Sequence, residues 1–105
     1  VNLVVVGDVG KPERLREHVA GADVMVIEAT YLAEDAEMAL TFGHSTAADV
    51  ASLAAEAGVG KLILTHVSRR YRDDDILAEA RAIFPETYLA NDFDQFEVRK
   101  LDRMD

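Results

Sequence analysis

Three short runs of mainly apolar residues constrain the fold of this chain more than any other feature. They cover residues 1–6, 23–29 and 61–65 and are rich in valine, isoleucine and leucine. A short apolar run bounded by turn residues is typical of a strand that is buried on both faces. The segments at 11–20, 31–42, 46–57 and 73–83 have the composition, spacing and capping residues of helices. Strands that alternate with helices predict an α/β layer whose strands pair in parallel.

The end of the chain is predicted to add two further short strands, at 86–90 and 95–98. At 105 residues the chain forms one domain or part of one. It begins with Val1 and enters a strand almost at once, which we interpret as an origin within a longer protein.

Charge and composition argue against several classes of function. The chain has 20 acidic residues against 11 basic residues, a formal net charge of −9. An acidic surface repels a phosphate backbone, which argues against a self-sufficient nucleic-acid binder. Cysteine is absent, so any metal must be held by histidine and carboxylate groups rather than by thiolates. We expect neither a membrane segment nor a secretion signal, and therefore a cytoplasmic protein.

Four titratable side chains border the predicted strands and helices at positions suited to chemistry. Asp8 follows the first strand, Glu28 lies at the end of the second, and His66 closes the third. Parallel strands place their carboxyl ends on one edge of the sheet, where open α/β sheets bind their ligands. His44 precedes a serine–threonine pair that can cap the next helix. The sequence therefore predicts a site made of two carboxylates and two histidines.

Each of these four residues also has a purely structural explanation. Asp8 can bond to the backbone of its own Gly-Asp-Val-Gly turn, and Glu28 can reach solvent from the strand end. His44 can assist the start of a helix, and His66 can be a satisfied interior histidine. The expected convergence of all four at one edge is what favours a functional site.

A basic cluster follows His66 in this otherwise acidic chain. Arg69, Arg70 and Arg72 stand beside the predicted site, and the planar guanidinium group suits phosphate oxygens. The same arginines can instead balance the acidic residues at 73–75 in a solvated turn. Both interpretations stay open on the residues alone.

Several motifs, in this order along the chain, resemble those of a known family. They are Gly7-Asp8, Glu28-Ala29-Thr30, Gly43-His44-Ser45-Thr46 and Leu64-Thr65-His66-Val67-Ser68-Arg69-Arg70-Tyr71. Together they resemble the carboxy-terminal part of ribonuclease Z, the tRNA 3′-processing endonuclease of the metallo-β-lactamase superfamily. The resemblance covers nearly the whole chain. It implies that residues 1–105 are the carboxy-terminal half of an αββα sandwich, with a mixed sheet and flanking helices.

The resemblance also implies a role for each candidate residue. Asp8 resembles the carboxylate that bridges two zinc ions, and His66 resembles the last histidine ligand. His44 resembles the histidine that stabilises the scissile phosphate and protonates the leaving oxygen, and Glu28 resembles the acid that pairs with it. The residues expected to contact the substrate are Ser45, Thr46, Arg69 and Arg70.

Part of the family's active site is absent from these 105 residues. The principal zinc motif of the family, His-x-His-x-Asp-His, does not occur in them, and neither does the arm that clamps tRNA. Asp8 and His66 are two ligands, whereas a catalytic zinc usually has three protein ligands. We therefore expect the chain to be inactive alone. With the rest of the domain, we expect a zinc-dependent homodimer that processes precursor tRNA.

Two departures from the family pattern keep other interpretations open. Val9 and Ile27 stand where the family usually has threonine and histidine. They favour a related metallohydrolase that cleaves another phosphodiester or a sulfate ester. A non-catalytic domain that serves assembly is the third interpretation.

Overall fold

A parallel sheet forms the centre of the protein in a computed structural model, which describes residues 3–6, 16–65, 67 and 71–90. Within these residues the strands are β1 (Leu3–Val6), β2 (Val24–Glu28), β3 (Lys61–Thr65) and β4 (Thr87–Leu89). They lie side by side in the order β1-β2-β3-β4, and each neighbouring pair is parallel. The predicted parallel pairing is confirmed for these strands, whereas the four described strands contain no antiparallel pair of the mixed sheet that the resemblance implies. The strand predicted at 95–98 lies outside the described residues.

Short helices connect the strands. They are α1 (Arg16–Val19), α2 (Ala36–Phe42), α3 (Ala47–Ala57) and α4 (Asp73–Arg81), with a 3₁₀ turn at Ala33–Asp35. The segment predicted as one helix at 31–42 is therefore a 3₁₀ turn followed by α2. Tyr31 is not helical, because it forms an isolated parallel bridge with Thr46. None of the helices in the described ranges is long and apolar enough to cross a membrane.

The hydrophobic core lies between one face of the sheet and the helices. Alternate residues of β2 and β3 enter it, and residues of α3 and α4 meet them from the other side. The fully buried members from these elements include Met25, Ile27, Leu62, Leu64, Val50 and Ile76. On β1, the alternation places Leu3 and Val5 on the opposite face, where they are 51% and 69% exposed.

The ends of α3 follow the capping residues in the sequence. Thr46 has an extended backbone, and its hydroxyl accepts a hydrogen bond from the backbone N–H of Asp49 at 3.1 Å. Gly58 ends the helix with φ of 69°, a left-handed conformation that glycine adopts without steric cost. The prediction that Ser45 or Thr46 caps this helix is confirmed, and the cap is Thr46. The bridge from Thr46 to Tyr31 places the first turn of α3 beside the segment that follows β2.

Candidate active site at the carboxyl edge of the sheet

The strand register brings the carboxyl ends of the first three strands to one edge. Val6 pairs with Ile27, Ile27 pairs with Leu64, and Glu28 pairs with Thr65. The ends of β1 and β3 are thus two strand spacings apart, about 10 Å, with β2 between them. Asp8 and His66 themselves lie outside the described residues. Their convergence therefore stays a prediction, although the strands that precede them end at the same edge.

Backbone hydrogen bonds join the segment after β2 to the segment before α3. The N–H groups of Thr30 and Tyr31 both donate to the carbonyl oxygen of Ser45, at 3.1 and 3.3 Å. The N–H of Ala47 donates back to the carbonyl oxygen of Tyr31 at 2.9 Å. These bonds form a short strand-like pairing just after the end of β2. They place the segment that follows Glu28 alongside the segment that contains the predicted histidine.

His44 lies at this contact, half-buried, immediately after the end of α2. Gly43 ends that helix with φ of 72°, and the backbone N–H of His44 donates to the carbonyl oxygen of Ala39 at 2.8 Å. The imidazole faces the ring of Tyr31, with 6.0 Å between ring centroids and a tilt of 54°. Tyr31 in turn meets Tyr71 edge to face, with 6.5 Å between centroids. The backbone of His44 and one side of its ring are therefore held by neighbours.

Glu28 occupies the last position of β2 and is half-buried. The next residue, Ala29, continues the pairing, because its N–H donates to the carbonyl oxygen of Thr65 at 3.1 Å. Thr30 is 7% exposed, and its hydroxyl has no hydrogen-bond partner among the described residues. A partly buried carboxylate at a strand end is costly unless other groups stabilise it. The position of Glu28 fits a carboxylate that orients a neighbouring cation or imidazole.

Ser45 and Thr46, expected to contact the substrate, are 2% and 3% exposed. The hydroxyl of Thr46 caps α3, and the carbonyl oxygen of Ser45 receives the two N–H groups of the adjacent segment. In this structure both residues hold the site together. A direct contact with substrate stays a prediction for them. Arg69 and Arg70 lie outside the described residues.

A metal site is not complete within the described part of the chain. There, no group of three or more histidine, cysteine, aspartate or glutamate side chains is arranged to hold a metal ion. The two predicted ligands, Asp8 and His66, are outside it. Imidazole and carboxylate are suitable donors for zinc, but two residues leave at least one protein ligand to be supplied from elsewhere.

The sequence did not predict two tertiary contacts that brace this edge. The carboxylate of Glu79, on α4, accepts hydrogen bonds from the backbone N–H groups of Ala33 and Ala48. The hydroxyl of Tyr71 donates a hydrogen bond to Asp35 Oδ2. One signal pointed to Glu79, since it lies one turn after the buried Ile76 and next to the buried Ala80. An acid beside the buried stripe of a helix indicates a specific partner.

Comparison with known proteins identifies the family. Residues 1–67, more than half of the chain, match the family described as the beta-lactamase superfamily domain. The chain belongs to the beta-lactamase superfamily. The fold agrees with this membership. A crystal structure of the metallo-beta-lactamase fold protein YhfI from Bacillus subtilis superposes with a TM-score of 0.75 at 24% identity. The match covers 83% of this chain and 35% of that one, and it confirms the predicted fold class.

The most informative curated relatives carry ribonuclease names. A protein named ribonuclease Z from a Bradyrhizobium species is 54% identical over 96 residues, and ribonuclease Z from Brevibacillus brevis is 45% identical over 105 residues. A protein named ribonuclease BN from Escherichia coli is 50% identical over 99 residues. These matches cover 91 to 93% of this chain. The predicted resemblance to ribonuclease Z is confirmed. The chain spans about a third of the length of these relatives, 32 to 33%.

Proposed function

We propose that this chain supplies the acid–base part of the active site of a ribonuclease Z-like phosphodiester hydrolase. The observation that carries the proposal is the pair of hydrogen bonds from Thr30 and Tyr31 to the carbonyl oxygen of Ser45. They hold the segment after Glu28 against the segment that contains His44. The names of the relatives support a ribonuclease-type hydrolase, and precursor tRNA is the proposed substrate.

In this mechanism His44 donates a proton to the leaving oxygen of the scissile phosphodiester. A positioned histidine accelerates such a step by about 100- to 10,000-fold. Glu28, at the end of the adjoining strand, is the carboxylate proposed to orient the imidazole. Tyr31 packs against the imidazole at 6.0 Å between centroids and limits the rotation of the ring. Each of these residues acts on the leaving-group side of the reaction.

Metal ions are the second proposed component, because the chain belongs to the beta-lactamase superfamily and its relatives are named ribonuclease Z. We assign Asp8 and His66 as ligands, with zinc as the proposed metal, two ions in the complete domain. When bound, such ions stabilise the negative charge that develops on the phosphate. The remaining ligands come from beyond this chain, so we propose that residues 1–105 are inactive alone. Homodimeric assembly and a cytoplasmic location are further parts of the proposal.

One observation favours a second candidate function. Ile27, where ribonuclease Z proteins usually have histidine, is fully buried and belongs to the hydrophobic core. An apolar side chain there cannot donate a hydrogen bond to substrate or to another site residue. The alternative is a hydrolase of the same family that cleaves a different phosphodiester or a sulfate ester.

The test uses the full-length protein loaded with zinc, on precursor tRNA and on bis(p-nitrophenyl) phosphate. We expect His44→Ala to lower kcat on precursor tRNA by about 100-fold or more. The loss on bis(p-nitrophenyl) phosphate is expected to be much smaller, because p-nitrophenolate leaves without a proton. Glu56→Ala is the matched control, because Glu56 is exposed and, within the described residues, forms a surface ion pair with Arg16 at 3.7 Å.

Activity of His44→Ala equal to that of the control on both substrates would refute the proposal. Cleavage of bis(p-nitrophenyl) phosphate without any cleavage of precursor tRNA by the unmodified protein favours the alternative substrate. For the metal, zinc titration calorimetry of the 105-residue chain is decisive. Sub-micromolar zinc binding by that chain contradicts a metal site shared with the rest of the domain.

A further inference from the structure

One carboxylate on α4 connects the two segments that form the candidate site. Glu79 Oε1 accepts from the backbone N–H of Ala33 at 3.0 Å, and Oε2 accepts from the same N–H at 3.1 Å. Oε2 also accepts from the backbone N–H of Ala48 at 3.0 Å. Ala33 and Ala48 are far apart along the chain, and Glu79 is distant from both. The carboxylate therefore acts as a bridge between three elements.

The bridged positions lie close in sequence to the proposed acid–base pair. Ala33 follows Glu28 by one short segment, and Ala48 is in the first turn of α3, directly after the segment that contains His44. Tyr31 and Thr46 already pair between these segments. Glu79 also joins these segments, through the N–H groups of Ala33 and Ala48, so they are connected at two points.

The position of Glu79 strengthens its hydrogen bond with Ala48, which is partly buried, whereas its bonds with Ala33 are exposed. The first N–H groups of a helix have no partner within the helix, and the helix dipole favours a negative charge beside them. Ala48 is the second residue of α3, so its N–H is one of these groups. The carboxylate is half-buried, which reduces screening by water. Thr46 caps the same turn through Asp49, leaving the Ala48 N–H for Glu79.

A second contact braces the same loop. The hydroxyl of Tyr71 donates to Asp35, at the end of the 3₁₀ turn that Ala33 begins. The ring of Tyr71 also packs against Tyr31, which packs against His44. The loop at 31–35 is thus fixed by Glu79 at Ala33 and by Tyr71 at Tyr31 and Asp35.

We propose that Glu79 is a positioning residue for His44. It holds the loop at 31–35 against the first turn of α3 and so keeps the imidazole aligned with the leaving oxygen. The proposal rests on the proposed function of His44 as proton donor. A misplacement of a catalytic group by about 1 Å can lower a rate by about 100-fold, which is large enough to detect.

The experiment measures kcat and KM of the full-length protein on precursor tRNA and on bis(p-nitrophenyl) phosphate. We expect Glu79→Ala to lower kcat on precursor tRNA by about 10- to 100-fold, with KM changed little. On bis(p-nitrophenyl) phosphate we expect a loss of less than about 3-fold, because no proton is needed by the leaving group. Glu79→Gln is expected to recover part of the activity, because one amide oxygen in the place of Oε2 can still accept both N–H groups although the negative charge is lost. Glu56→Ala again serves as the control.

Glu79→Asp provides a second route if the alanine variant does not fold. It keeps the negative charge but is one methylene shorter, so it cannot reach both N–H groups, and we expect the same selective loss. Adding Glu79→Ala or Glu79→Asp to His44→Ala should cause no further loss on precursor tRNA, because Glu79 acts on that step only through His44.

Equal losses on the two substrates, or a glutamine variant no better than alanine, would show a merely structural role and overturn the proposal. The same conclusion follows if His44→Ala shows the leaving-group dependence and neither Glu79→Ala nor Glu79→Asp does. If His44→Ala itself lacks that dependence, the proposed function of His44 is wrong, and the role of Glu79 is wrong with it. The two failures are therefore distinguishable.

Discussion

Replacement of Thr46 tests how strongly the first turn of α3 is fixed beside the candidate site. The side chain is 3% exposed, and its hydroxyl accepts from the backbone N–H of Asp49 at 3.1 Å. Thr46→Ala removes both the cap and a buried methyl group. Thr46→Ser removes only the methyl group, so the pair of variants separates the two contributions.

The expected magnitudes follow from these contacts. Loss of a threonine N-cap lowers the free energy of unfolding by about 1 kcal/mol, and by up to about 2 kcal/mol in proteins. Loss of the buried methyl group lowers it by about 0.8 kcal/mol more. We therefore expect Thr46→Ala to lower the free energy of unfolding by about 2 to 3 kcal/mol. For Thr46→Ser we expect about 1 kcal/mol.

Urea unfolding followed by circular dichroism measures both differences at unchanged m-value. The difference between the two variants gives the contribution of the hydrogen bond to Asp49. If Thr46→Ser is as destabilising as Thr46→Ala, the hydroxyl does not cap the helix and the reasoning is refuted. A change in m-value signals instead that the unfolded or folded ensemble has altered.

Two further predictions concern glycine positions and a tyrosine. Gly43→Ala and Gly58→Ala should each lower the free energy of unfolding, measured by urea unfolding, by about 1 kcal/mol. The cost comes from the left-handed backbone, with φ of 72° and 69°, because an added Cβ meets nothing within 4 Å and causes no clash. Only Gly43→Ala should also lower activity, because it precedes His44; equal activity of the two variants contradicts this. The hydrogen bond from Tyr88 to Glu86 at 3.0 Å, and then the charge of Glu86, raise the pKa of Tyr88 above its ordinary value. This contribution to stability is present below the pKa of unfolded tyrosine and is lost as pH rises through the folded pKa. Glu86→Gln should lower the pKa of Tyr88, as measured by NMR titration, and an unchanged pKa refutes the assignment.

Much of the fold was predictable because its signals are local. The strand predicted at 61–65 is Lys61–Thr65, and the predicted end of α3 at Gly58 is correct. Apolar runs and glycine caps act within a few residues, so the sequence alone contains them. The prediction of a helix at 31–42 was only partly correct, because contacts with distant residues determine where this helix begins. The composition favours a helix, but a bridge from Tyr31 to Thr46 and a bond from Ala33 to Glu79 determine its beginning.

In the candidate site, too, local features were predictable and contacts between distant segments were not. The position of Glu28 at the end of β2 was predictable, because the apolar run that precedes it marks the strand, whereas its role in a site stays a prediction. His44 was predicted as a candidate from its place before a cap. The hydrogen bonds of Ser45 to Thr30 and Tyr31 were not predictable, since they depend on how two loops meet. Backbone N–H groups are the same in every residue, so the sequence does not show which of them donate to the carboxylate of Glu79.

The exposed side chains of β1 affect the stability that would be measured for this segment alone. Leu3 and Val5 are 51% and 69% exposed, although both are aliphatic and belong to the outermost strand among those described. Complete burial of such a side chain contributes about 1.5 to 3 kcal/mol, so about 2 to 3 kcal/mol in total is not realised here. Any surface that covers β1 recovers that free energy. A melting temperature measured on residues 1–105 by themselves therefore underestimates the stability of the same strands within a larger molecule.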